Sequence, residues 1–171
     1  GRLQEIVVRL AGMSGTPYPV LGKKAAIVMA ADNGVIEEGV TQADHHVTTT
    51  VVCNMTHADA TISILSRMAG ADVFPIDIGI KDDFECAGVT DKKVMHGTDN
   101  MTKGPAMPRE KAIEAIETGI QTIFDLKEKG YGLFATGEMG IGNTTTSSAM
   151  ASVFLEMPVE AVTGRGAGLS T

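Results

Sequence analysis

The apolar run Ala25-Ala26-Ile27-Val28-Met29-Ala30, followed by Asp32-Asn33-Gly34, decides the fold. A continuous run without polar alternation is expected of a strand covered on both faces, as in a parallel sheet. Its polar, turn-prone ending puts Asp32 just beyond the strand's carboxyl end. Upstream, Leu3, Ile6, Val7 and Leu10 recur at helical spacing, so a short helix is expected to stop at Gly12, ahead of a Gly/Pro loop running to Pro19.

Downstream, Val51, Met55, Ala58, Ile62, Leu65 and Ala69 keep a period of three to four from Val47 onward. The pattern predicts one long helix, capped by Thr48 or Thr49 and stopped by Gly70. Asp72 to Gly79 reads as a strand in which Pro75 marks an edge or an irregularity. The polar segment Lys81 to Met107 is long for a connection, and such loops often carry function. Pro108 opens a helix whose buried face is marked by Ile113, Ile116, Ile120, Ile123 and Phe124, up to Gly130. A strand at Gly132 to Thr136 then leads into the glycine-rich stretch Gly137 to Thr146. Asn143 or Thr144 is expected to cap a further helix with Met150, Phe154 and Leu155 facing inward. A strand at Val159 to Thr163 and a second glycine-rich turn, Gly164-Arg165-Gly166-Ala167-Gly168, complete the pattern. Alternating strands and helices predict an α/β fold: a parallel β-sheet with helices on both faces, Rossmann-like and three-layered, in a single truncated domain over residues 1–171.

The 171 residues are 43% hydrophobic and 20% charged, ordinary for one globular domain. The net charge of -7 is spread without like-charge runs, so there is no basic stripe for nucleic acid and no polybasic membrane anchor. No apolar run approaches the ~20 residues that cross a bilayer. Cys53 and Cys86 make no disulfide framework. A cytoplasmic protein with small-molecule partners is expected.

In parallel sheets ligands collect outside the carboxyl ends of the strands. Asp32, Asp77 and Glu138 all fall there, so the three carboxylates could share one crevice, although each alone also suits a loop cap. Gly137, Gly140 and Gly142 would let backbone amides approach a ligand, and the positive end of the following helix would add to them, making a phosphate site without lysine. A tight strand-to-helix turn with serial caps would look similar. The P-loop pattern fails because Asn143 stands where lysine is required, and a dinucleotide site lacks its acidic residue after the next strand. A monophosphate is the simplest remaining anion. His45, His46, His57 and His96 show no metal-ligand spacing, Met29, Met55, Met68 and Met150 read as core filler, and no metal or cofactor is expected.

Ala31-Asp32-Asn33-Gly34-Val35, Gly39-Val40-Thr41, Val47-Thr48, Gly97-Thr98-Asp99-Asn100-Met101, Gly104-Pro105-Ala106-Met107, Gly137-Glu138-Met139-Gly140-Ile141-Gly142-Asn143-Thr144-Thr145 and Gly164-Arg165-Gly166-Ala167-Gly168-Leu169, in this order, resemble the nicotinate-nucleotide:dimethylbenzimidazole phosphoribosyltransferases. The resemblance implies transfer of a 5-phosphoribosyl group from nicotinate mononucleotide to a benzimidazole nitrogen, with inversion, in cobalamin assembly. It further implies that Glu138 faces the reacting centre as a supporting carboxylate. Gly137, the Gly140 and Gly142 amides, Asn143 and Thr144 would contact nucleotide oxygens, and Gly164, Arg165 and Gly166 would form an adjoining ligand-facing turn. Asp32 either shapes or lines the acceptor pocket. Family members form homodimers and run beyond this length at both ends. The principal base and a phosphate-binding lysine are therefore expected after Thr171, and the isolated chain is expected to be inactive. The family carries histidine at Asn33, glutamine near Thr50 and small residues at Ala58-Asp59-Ala60-Thr61. These departures bear on the acceptor, which is dimethylbenzimidazole or a related base. A non-catalytic nucleotide-binding subunit working with a paralogous partner is the alternative.

Overall fold

The computed structural model describes residues 1–166. In chain order the elements are α1 (Arg2–Ser14), β1 (Lys23–Ala31), a 3-10 helix (Gly34–Glu38), α2 (His46–Thr56), α3 (Thr61–Ala69), β2 (Ala71–Gly79), β3 (Thr90–Asp91), α4 (Arg109–Glu128), β4 (Tyr131–Met139), α5 (Asn143–Leu155) and α6 (Val159–Val162). The four strands form a parallel sheet in the order β3-β2-β1-β4.

The run that decided the fold is an interior strand, and its two sets of alternate residues meet different layers. Ala25 and Ile27 pack with Ile76 and with Leu126 of α4, flanked by Phe74 and Phe134. On the other face Ala30 packs with Val52 of α2 and with Ile80. Helices therefore cover both faces, as expected. Burying side chains such as Ile27 and Val28 stabilises the fold by about 1.5–3 kcal/mol each. Pro75 pairs with Val28 of β1, and β3 reaches only Ile76 and Asp77, so the missing proline donor deprives no neighbouring strand. The irregularity is a register shift between Ala30 and Ala31, which brings Ala31 opposite Gly79.

Several element boundaries differ from the pattern reading. Gly12 lies inside α1, which ends instead at the left-handed Gly15. The expected long helix is two helices, and neither Thr48 nor Thr49 is the cap, because α2 starts at His46. Ala58 adopts φ 64°, the Asp59 amide returns to the Asn54 carbonyl at 3.1 Å, and the Ser63 hydroxyl donates to the Met55 carbonyl at 2.7 Å. This satisfies the α2 C-terminus in Schellman fashion with alanine in the place usually held by glycine, so no glycine or proline signals the break. Val159 to Thr163 forms the short helix α6 rather than a strand. Met150, Phe154 and Leu155 of α5 are exposed, as are Ile116, Ile120 and Phe124 of α4, and Met68 of α3. On α3 the buried positions are Ser63 and Ser66.

Candidate active site

The chemistry-bearing stretch is part strand and part loop. Gly137, Glu138 and Met139 belong to β4, with Gly137 paired to Val28, so Gly137 is not a loop glycine. A Cβ there would meet Val28 and Ile62 side chains at 3.5 and 3.9 Å, ordinary contact distances, so the sheet does not itself require glycine at this position. The true loop is Gly140-Ile141-Gly142, with α5 beginning at Asn143.

Gly140 is the position where a side chain is impossible. A Cβ would lie 2.0 Å from the Ala31 carbonyl oxygen and 3.0 Å from Asn33 Nδ2. Gly142 caps α5 at φ 86°, and a Cβ would meet Ile36 at 2.7 Å. Two side chains then fix the loop. Asn33 Nδ2 donates to the Ile141 carbonyl at 3.2 Å while its Oδ1 accepts from the Thr146 hydroxyl at 2.9 Å. Thr48, fully buried near the start of α2, accepts from the Ile141 amide at 3.2 Å. Neither residue was expected to touch this loop, because their partners lie more than ninety positions away. Their presence in the family-like blocks around Asp32 and Val47 was the available signal.

The loop uses some of its own donors. The Asn143 amide bonds the Gly140 carbonyl at 3.0 Å and the Thr145 amide bonds that of Gly142 at 3.1 Å. This leaves the Gly142 and Thr144 amides without an acceptor among the described residues, at the positive end of a 13-residue helix. Glu138 is exposed, and its Oε1 accepts from Asn143 Nδ2 at 2.5 Å, which ties the carboxylate to the first residue of α5. The second glycine-rich turn meets the same place: a Cβ on Gly166, at φ 64°, would lie 3.0 Å from the Thr144 hydroxyl. Gly164 and Arg165 are exposed beside it, and Ala167, Gly168 and Leu169 lie outside the described residues.

The three carboxylates do not share a crevice. By register Glu138 lies beside Met29 on the α4 face of the sheet, whereas Asp77 lies beside Ala30 on the opposite face. Asp77 Oδ1 accepts from the Gly79 and Ile80 amides at 3.0 and 2.8 Å, and its other oxygen is 3.5 Å from Lys93 Nζ. Asp32 is 3% exposed, and its Oδ2 accepts from the Lys81 amide at 2.8 Å. Its backbone holds Gly79 and Thr98. Asp32 therefore joins three loops, and its buried Oδ1 has no partner among the described residues. Thr50 is exposed and donates to the His46 carbonyl within α2, so it does not touch the loop that Thr48 holds.

The long segment after β2 packs the Gly97 block against the block that follows β1. A Cβ on Gly34 would lie 2.4 Å from the Thr98 carbonyl oxygen, so the Gly97 block packs backbone to backbone against the 3-10 helix. Asn100 Nδ2 donates to Glu38 at 2.6 Å, and Lys103 pairs with Glu37 at 2.8 Å. The Lys103 hydrogen bond, helped by Asn100, holds the Glu37 carboxyl below its usual range. An open cavity of about 780 Å³ lies along the same segment, lined by Asp77, Phe84, Cys86, Lys93 and His96. No residue of the Gly140–Gly142 loop lines it, so the cavity is separate from that loop. Cys53 and Cys86, distant in sequence, are neighbours there: burial first, and the adjacent Cys86 thiol second, push the Cys53 thiol up to about 11.

Comparison with known proteins places this geometry. A family model described as phosphoribosyltransferase matches residues 1–171. A nicotinate-nucleotide--dimethylbenzimidazole phosphoribosyltransferase from Ruminiclostridium cellulolyticum is 49% identical over 170 residues, covering 99% of this chain and 48% of that protein. The protein of the same name from Acetivibrio thermocellus is 48% identical over the same shares of each chain. The crystal structure of CobT from Thermus thermophilus superposes with a TM-score of 0.95 at 38% identity, covering 99% of this chain and 51% of that one. The chain spans about half the length of the curated relatives it matches.

Proposed function

The chain belongs to this phosphoribosyltransferase family, and from that premise we propose that the protein transfers the 5-phosphoribosyl group of nicotinate mononucleotide to 5,6-dimethylbenzimidazole or a related lower-ligand base. The products are nicotinate and an α-ribazole 5′-phosphate, used in cobalamin nucleotide-loop assembly. The observation that carries this reading is the braced loop Gly140–Gly142, which leaves two amides outward at the start of α5 beside a carboxylate tied to that helix.

In the reaction the bond from the sugar C1 to the pyridinium nitrogen breaks, its electrons neutralising the leaving nicotinate. The acceptor nitrogen that carries the free lone pair forms the new bond from the opposite side, and the other ring nitrogen gives up its proton to a base. The Gly142 and Thr144 amides, with the Asn143 side chain and the Thr144 hydroxyl, hold the donor phosphate at the helix terminus. Gly164, Arg165 and Gly166 close the same side through the Thr144 contact. Glu138 is a carboxylate that offsets the positive charge developing on the sugar, and Asn143 sets its position. Asp32, buried where three loops meet, shapes those loops. Thr50, exposed on α2, stands near the position of the family's acceptor-holding glutamine and takes its acceptor role from that resemblance.

Binding of nicotinate mononucleotide, followed calorimetrically in the wild type and in an Asn143→Ala/Thr144→Ala double variant, tests the loop. At least a tenfold loss of affinity is expected, and undiminished binding would place the phosphate elsewhere. In the full-length protein Glu138→Gln is expected to lower kcat by roughly 10²-fold with little change in KM, the signature of charge stabilised mainly in the transition state. Competition between dimethylbenzimidazole, purines and phenols for the donor identifies the acceptor.

The same reading includes a homodimer and a cytoplasmic setting. The exposed apolar residues Phe154, Leu155 and Val153 of α5 supply a surface for pairing. Light scattering on the purified protein measures the stoichiometry. No helix among the described residues is long and apolar enough to cross a membrane.

A further inference from the structure

The loop before α2 and the loop after β2 bring Asp44, His45, His46 and Asp82 together, a group that the transfer reaction leaves unused. His45 Nδ1 is 2.7 Å from Asp44 Oδ1, and His45 Nε2 is 3.4 Å from Asp82 Oδ1. His46 Nδ1 is 2.6 Å from Asp82 Oδ2, and His46 Nε2 is 4.0 Å from the same Asp44 oxygen. All four ring nitrogens therefore face carboxylate oxygens, and both rings stand between the same two carboxylates.

A neutral imidazole has one N–H and one lone pair. If each ring donates its single proton to Asp82, the lone pairs of His45 Nδ1 and His46 Nε2 point at Asp44, also an electron-pair donor. One Asp44 oxygen and the two ring nitrogens that face it therefore converge on one space as three electron-pair donors.

The geometry points to a divalent transition-metal site of the zinc class formed by the Asp44 carboxylate, His45 Nδ1 and His46 Nε2, with Asp82 orienting both rings from behind. One ligand atom from each of Asp44, His45 and His46 lies within 4.8 Å of the others. Ligands about 2.0–2.2 Å from zinc in a tetrahedron stand roughly 3.3–3.5 Å apart, so the 2.7 Å pair opens and the 4.0 Å pair closes by a fraction of an ångström. Two imidazoles and one carboxylate form a ligand set suited to zinc and its neighbours rather than to magnesium or calcium. The second carboxylate, taking the outer N–H of each ring, is the support that metal-bound histidines ordinarily have. The three ligands are consecutive residues entering α2, and His45 is the most buried of them, with its side chain 19% exposed. That leaves the remaining coordination positions toward solvent. The positive end of α2 opposes a cation here, but it represents only about half a charge against two carboxylates.

The test is calorimetric titration of Zn²⁺ into tag-free protein stripped with chelator, beside His46→Ala and Asp82→Asn variants whose folding is checked by circular dichroism. These positions lie at the surface, so both variants are expected to fold. One equivalent of Zn²⁺ is expected to bind the wild type with sub-micromolar affinity. His46→Ala is expected to weaken it at least a hundredfold and Asp82→Asn about tenfold or more. Co²⁺ in place of Zn²⁺ is expected to give visible absorption bands of a tetrahedral or five-coordinate site, lost in His46→Ala. Absence of stoichiometric binding, or binding unchanged in both variants, overturns the assignment. So does an imidazole pair that is doubly protonated at neutral pH by NMR and binds no Zn²⁺.

Discussion

Replacing Gly140 with alanine tests the central steric argument. The added Cβ would lie 2.0 Å from the Ala31 carbonyl oxygen and 3.2 Å from its carbon. Carbon-to-oxygen contacts settle at ~3.3–3.6 Å, so the overlap is about 1.3 Å or more. Both colliding groups belong to backbone next to the pairing of Ala30 with Met139. A side-chain rotamer change cannot relieve the clash, so the ends of β1 and β4 must separate or the loop must leave Asn33. Overpacking against adaptable side chains costs about 1–3 kcal/mol, and a backbone collision is expected at or above ~3 kcal/mol. For a chain of this size that lowers Tm by roughly 6–12 °C. Thermal unfolding followed by circular dichroism reads the shift. Gly104→Ala, whose Cβ would meet nothing within 4 Å, is the control and is expected to change stability by under about 0.5 kcal/mol. A Gly140→Ala variant melting within about 2 °C of wild type would refute the reasoning.

Asn33→Ala removes both hydrogen bonds that Asn33 makes, leaving the Thr48 bond in place and the Ile141 carbonyl and Thr146 hydroxyl unmatched, so a loss of about 1–3 kcal/mol is expected in denaturant melts. Lys103→Ala is expected to leave the melting temperature unchanged, since the pair with Glu37 is largely in solvent. Cys53, its thiol pushed up to about 11, is expected to carry about a hundredfold less thiolate at pH 8 than an ordinary cysteine. Its alkylation by iodoacetamide, followed by mass spectrometry, should rise about tenfold per pH unit until pH nears 11, and labelling at the rate of a free thiol at pH 8 would contradict the burial. The sign for stability follows: the unfolded chain loses this proton at lower pH than the folded one, so the contribution is intact below pH 9 and lost on rising through about 11.

The parallel α/β architecture was legible because it depends on short-range pattern. The run from Ala25 could be satisfied only by cover on both faces, and the later strands and helices alternate around it. The block Gly140-Ile141-Gly142-Asn143 was legible for a similar reason, since close backbone approach and a left-handed cap both require glycine, and a glycine requirement is visible in one dimension. The apolar period also predicted buried faces on α4 and α5, but these are largely exposed, because period alone does not say what covers a stripe.

What the sequence by itself determined is the sheet, the strand at its centre and the turn that must be made of glycine. Each follows from the conformational limits of single residues or the periodicity of neighbours. Only the tertiary structure decided that Asn33 and Thr48 brace that turn, that Glu138 and Asp77 point to opposite faces, and that His45 and His46 meet Asp82. It also broke the helix at Ala58, through contacts from Ser63 and Asp59 that tolerate alanine at φ 64°. Those outcomes depend on strand register and on partners up to 113 residues apart, and a linear pattern carries no record of either.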